Sequence, residues 1–166
     1  MNQKKRFALF VILIIFIMAI PMTVLASKQM FKARMNTGAE LHDVIDSNAS
    51  GAAVFGIRPG DMVFMLSARN LTSTPTGVQL HAPANESETA AAILTLCGEP
   101  APAAVADCTM VNGNLSVRGE VTSGLLAQWG ITSQQLTQYL NDGQVYVNVY
   151  TDLNPEGEIR GQIYSR

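Results

Sequence analysis

The pattern of apolar and polar positions divides the chain in two. Residues 7–26 are almost uninterruptedly apolar, whereas beyond Gly38 short apolar or alternating stretches are separated by turn-forming residues. Alternation with a period of two, broken by Pro, Gly, Asn and Asp, is the signature of half-buried strands rather than of βαβ units. It predicts strands over 52–57, 62–68, 77–81, 89–96, 114–120, 144–151 and 158–164. Arg58-Pro59-Gly60-Asp61 reads as a turn between two of them, and Asn154-Pro155-Glu156-Gly157 as a type I turn that folds the last two strands into a hairpin.

One stretch changes period. Thr132 followed three residues later by Gln135 forms a capping box, Leu136, Tyr139 and Leu140 share one helical face, and Gly143 supplies a stop. A short helix covering one end of the strands follows from this. Trp129, close behind Leu125 and Leu126, reads as a plug of the core, because large aromatic side chains contribute most when buried. The fold class expected is therefore all-β and antiparallel, a sandwich or barrel with one short helix.

The N-terminal part follows a different logic. Lys4, Lys5 and Arg6 precede an apolar run, Pro21 interrupts it, and Val24-Leu25-Ala26 resembles a small-residue cleavage site. Residues 1–26 thus read either as a signal peptide cleaved after Ala26 or as a retained signal anchor, since 20 mostly apolar residues also suffice to span a bilayer. Both alternatives put the domain outside the cytoplasm, secreted or in the cell envelope, with membrane contact through 1–26 if the segment is kept. Residues 27–37, polar and basic, read as a linker.

Charge narrows the partners. All 13 acidic residues lie beyond the leader, against eight cations there, a net of −5; from Met35 onward only five cations remain. Such a balance offers no basic patch of the kind phosphate backbones require, so nucleic acid is excluded as a partner. Cys97 and Cys108, the only cysteines, bracket a Pro- and Ala-rich loop and read as a disulfide in an exported chain.

Catalytic signatures are absent from the sequence. It contains no G-x-S-x-G, no H-E-x-x-H and no glycine-rich phosphate loop, and its only histidines are His42 and His81. Asp152-Leu-Asn154-Pro-Glu156-Gly157 resembles the start of a calcium loop, but the twelfth position is Ile163 instead of a bidentate Glu. Glu158 and Arg160 flank Ile159 and fall on one face of a strand, which suits a structural role, with local or neighbouring-strand partners, better than ligand contact. No catalytic residue, cofactor site or metal site is assigned. Asn48, Asn70, Asn85 and Asn114 each open an acceptor pattern for N-glycosylation.

The stretch from Gly143 to Ile163 (GQVYVNVYTDLNPEGEIRGQI) closely resembles the closing motif of CHRD domains, the chordin-type family. Further likeness lies in Gly51-Ala-Ala-Val-Phe55, in Asn70-Leu-Thr with Gln79-Leu-His81, and in Leu96-Cys97-Gly98, so that the resemblance spans roughly 38–166. It implies an extracellular, immunoglobulin-like β-sandwich and no established chemistry. Many members of that family carry His-x-His where this chain has Gln79-Leu80-His81, and a histidine where it has Tyr150. The family is also distantly similar to copper/zinc superoxide dismutases, which makes a metal-dependent dismutase-like enzyme the alternative; with only His81 kept of the three positions, a multi-histidine site cannot be assembled from one copy. The reading that follows is an exported, non-enzymatic binding or structural module whose partner is an unidentified extracellular macromolecule or small ligand.

Overall fold

Alternation begins earlier in the chain than the domain boundary expected at Gly38. Phe31, Ala33 and Met35 are buried while Lys32, Arg34 and Asn36 between them are exposed, so this stretch is a strand, β1 (Gln29–Asn36). The computed structural model describes residues 28–58, 60–99 and 104–165. The linker reading of 27–37 is thus corrected. Three inward apolar side chains suffice because β1 is hydrogen-bonded along both edges, to β2 (Ser50–Arg58) and to β9 (Ile159–Ser165), and its basic residues all point away from the core. The leader, residues 1–26, lies outside the described residues.

The remaining strands are β3 (Asp61–Arg69), β4 (Pro75–His81), β5 (Ala92–Gly98), β6 (Thr109–Val111), β7 (Asn114–Val121) and β8 (Tyr146–Thr151). They pair antiparallel throughout, in the order β5-β4-β8-β9-β1-β2-β3-β7-β6. The nine strands form one continuous sheet that curls until β5 meets β7 across the core, which is how the expected antiparallel sandwich is realised. The inner face carries Phe55, Leu66, Leu80, Leu94, Leu96, Leu115 and Val147, all fully buried.

Both expected turns are present. β2 runs into β3 through Gly60, whose φ of +91° is open to glycine at little cost, and the β8–β9 hairpin closes with the Gly157 amide donating to the Asn154 carbonyl at 3.1 Å. Two short helices follow β7 where one was expected. In α1 (Ser123–Gln128) the Thr122 hydroxyl accepts from the Leu125 amide, and six residues are too few to display a periodic face. In α2 (Ser133–Asn141) the Thr132–Gln135 capping box is fully formed and Leu136 and Leu140 are buried. Trp129, between the helices, is half-buried against the core.

Cys97 and Cys108 are joined as a disulfide, with their Cα atoms 5.1 Å apart. The loop between them also returns along β5, the Val105 and Ala106 amides donating to the carbonyls of Thr95 and Leu96. One covalent bond and two backbone bonds therefore hold it.

Candidate functional site

On the outer face of β4, β8 and β9 the residues singled out from the sequence come together. Register places Gln79, Asn148 and Arg160 side by side across the three strands, and His81, Tyr146 and Gln162 in the next row. Period-two geometry makes all six point outward, away from the core. They are nevertheless buried, because segments 40–49 and 82–91 fold over them.

His81 is enclosed on several sides. Its Nδ1 lies 2.9 Å from the Ala90 carbonyl and therefore donates, leaving Nε2 to accept from the Tyr150 hydroxyl at 2.8 Å. The ring stacks on Tyr146, with centroids 4.7 Å apart and planes 4° from parallel. Burial pushes its pKa below the ordinary histidine value; the nearby Arg160 acts in the same direction and the Ala90 carbonyl opposes. Both ring nitrogens are engaged by protein groups, so His81 is a structural residue of the belt. Tyr150, standing where the resemblance places a histidine in relatives, is its direct partner. Gln79, two residues away on the same face, donates from Nε2 to the Glu99 carbonyl at 3.3 Å.

Arg160 and Glu158 diverge in their partners. The Arg160 guanidinium lies 3.6 Å over the Tyr146 ring and donates from Nη2 to the carbonyls of Asn85 and Glu88, at 3.0 and 2.7 Å, fastening segment 82–91 to the sheet. Gln162 does the same through Nε2, to the carbonyls of Ala84 and Gly143. Glu158, fully buried, accepts four hydrogen bonds: from the Ser47 hydroxyl and Thr72 amide at Oε1, and from the Thr72 and Thr151 hydroxyls at Oε2. Beside it Asn154 accepts from the Ile45 amide at 2.7 Å and donates to Thr72 Oγ1. With its Oδ1 engaged inward, Asn154 belongs to a turn and a clamp on segment 40–49, not to a calcium loop.

Sequence reasoning did not single out Tyr146, Asn148 or Gln162, and it missed Glu40. Glu40 folds back from its segment so that its side chain is only 2% exposed, with Oε2 3.7 Å from His42 Nδ1 and Oε1 lacking a hydrogen-bond partner. Burial raises its pKa to about 7 against the opposing pull of His42 and Arg160. Asn148 Oδ1 is likewise without a partner, and both oxygens crowd Gly157: a Cβ added there would lie 2.7 Å from Glu40 Oε1 and 2.9 Å from Asn148 Oδ1. A lone Glu in a stretch without apolar periodicity carries no signal of such burial.

Among the described residues, no group of three or more His, Cys, Asp or Glu side chains is placed to hold a metal ion. What fold and belt define is an antiparallel β module whose most buried polar side chains fasten its own loops. The profile of the CHRD domain family matches residues 31–163, and the chain belongs to that family. The match begins inside β1, which again sets the domain's start earlier than the expected Gly38. No curated protein and no solved structure matches the chain.

Proposed function

We propose that this protein is an exported, non-enzymatic module that binds a partner in the extracellular space or cell envelope, or builds part of that envelope. Membership of the CHRD family supports a binding or structural role, and the leader read from the sequence supports the address. The observation that carries the non-enzymatic reading is the engagement of the polar belt. A general base needs a free lone pair facing a substrate, whereas His81 has both nitrogens occupied and Glu158 accepts from four internal donors.

The experiment is to purify the chain from its exported fraction without chelators, measure bound copper and zinc, and assay superoxide removal before and after adding each metal. The expected result is a folded protein without turnover. Stoichiometric metal together with activity lost in His81→Ala would replace this reading with the dismutase-like one.

A further inference from the structure

The outer face of the sheet continues past β9 onto β1, β2, β3 and β7, where no described segment covers it. Lys32 and Arg34 of β1, Arg69 of β3 and Arg118 of β7 are all exposed there and point outward. These four, half of the cations beyond the leader, share one face of an acidic domain; Glu120 and Asp61 are the carboxylates on the same face of these strands, Asp61 standing opposite Arg58 at the β2–β3 turn. Among the described residues none of these four cations makes a salt bridge; Arg69 donates from Nε to the Ser50 hydroxyl at 3.2 Å.

The face is furrowed. One depression, about 660 Å³, has Arg34 and Arg69 on its walls, a floor of small residues including Ser50, Ala52 and Ser67, and Asn114 at its far end. A second, about 500 Å³, lies on the other side of β1 and reaches Gln162 and Tyr164. Arg34 and Asn36 line both, so the two run together over β1. Register sets Arg34 opposite Ala52 and Ser67, with Arg69 two residues further along β3, a backbone separation of roughly 12 Å.

We infer that this trough binds an acidic polysaccharide, a sugar chain bearing carboxylate or sulfate groups. The inference rests on the binding reading above. Guanidinium groups suit the planar anions, with two parallel N–H donors for each carboxylate or sulfate. Serine hydroxyls and asparagine amides suit sugar hydroxyls, and the half-exposed Tyr164 ring offers an apolar surface at one end. Glu86, which accepts from the Tyr164 hydroxyl, stands at that end as a repelling charge and favours a neutral sugar there. An anionic bilayer is the rival. It would meet first the exposed side chains of Val54 and Met65, on the row next to the trough, rather than the furrow beside them.

The test passes the full-length chain, held in non-ionic detergent, over immobilised heparin and immobilised polygalacturonate, and separately mixes it with phosphatidylglycerol vesicles. Retention on at least one polysaccharide, weakened by salt as the screening length falls below about 8 Å, is expected. Arg34→Ser/Arg69→Ser should weaken retention about tenfold without moving the thermal midpoint, and Val54→Ser/Met65→Ser should leave it unchanged. Lys32→Ser, at the second depression, provides a further charge variant in case the first disturbs folding. No retention by the wild type, or retention by both charge variants equal to that of the wild type, overturns the inference. So does salt-sensitive vesicle binding lost in Val54→Ser/Met65→Ser without polysaccharide retention, which would assign the face to lipid. Capture of some other extracellular macromolecule with neither polysaccharide held would sink this inference and leave the binding function standing.

Discussion

The two halves of the outer sheet face carry similar residue types and treat them in opposite ways. Over β4, β8 and β9 the outward-pointing Gln79, His81, Tyr146, Asn148, Arg160 and Gln162 are roofed by segments 40–49 and 82–91. Over β1, β2, β3 and β7 the outward Lys32, Arg34, Arg69 and Arg118 stay in water. An arginine belongs to each half. Arg160, 2% exposed, grips two carbonyls and an aromatic ring, whereas Arg34 is exposed at the wall of a trough. Polar groups on a sheet therefore divide by what lies above them. Most of those under a roof are committed to holding it, because an unpaired buried polar group costs about 1–3 kcal/mol, the exceptions being oxygens such as Asn148 Oδ1 and Glu40 Oε1, and those without a roof are available to a partner.

Removing the roof's anchor should have the largest effect. Glu158→Ala leaves four donors, one buried and three partly buried, without their acceptor and should lower unfolding stability by on the order of 3 kcal/mol, read from chemical denaturation. If it melts like a surface variant, the covered half is not held as described. Replacing Cys97 and Cys108 together by Ala should cost about 3 kcal/mol, and reducing agent should reproduce the loss in the wild type. Gly157→Ala should cost about 2 kcal/mol, since φ is +132° and the new Cβ would meet the Asn148 amide nitrogen at 2.5 Å as well as Glu40.

A smaller effect sharpens the comparison through pH. Glu40 binds its proton more tightly folded than unfolded, so its contribution to stability falls as pH rises from about 4.5 through about 7. His81 acts in the opposite sense: with a folded pKa below 6.5, the unfolded chain takes up the proton first, and stability is lost as pH drops below that value. Glu40→Gln should raise stability at pH 8 by on the order of 1 kcal/mol, do less at pH 5, and leave only the acid-side loss due to His81. Thermal melts of both proteins across that range check it. Smallest of all, Arg34→Ser/Arg69→Ser should change stability by less than about 0.5 kcal/mol, as expected of exposed residues.

The sequence displayed the elements whose signals are local. The Thr132–Gln135 cap, the Pro- and Gly-bearing turns, the cysteine pair and the alternation of the β8–β9 hairpin are each contained in a few neighbouring residues. β1 was hidden although its Phe31, Ala33 and Met35 alternate, because its outward residues are basic and it directly follows the leader, so polarity outweighed period. β6 is three exposed residues at the sheet edge and has no apolar pattern to read. The belt was half legible. Glu158, Arg160, His81 and Tyr150 were singled out, but Glu40 and the roofing segments depend on contacts between residues about 70–115 positions apart.

The placement of β1 also sets a timetable. β2 can pair with β1, and β3 with β2, as soon as they are made, but the other edge of β1 must wait for β9, where Phe31 meets Ser165. A nascent chain that has finished β3 and not β9 therefore carries an open edge of backbone donors and acceptors in what will be the middle of the sheet, a template for joining another chain. Such distant closure slows folding. The same neighbourhood offers a remedy: a circular permutant that joins residue 165 to 28 by a short linker and opens at the exposed Asn112–Gly113 turn would make the β9–β1 contact local.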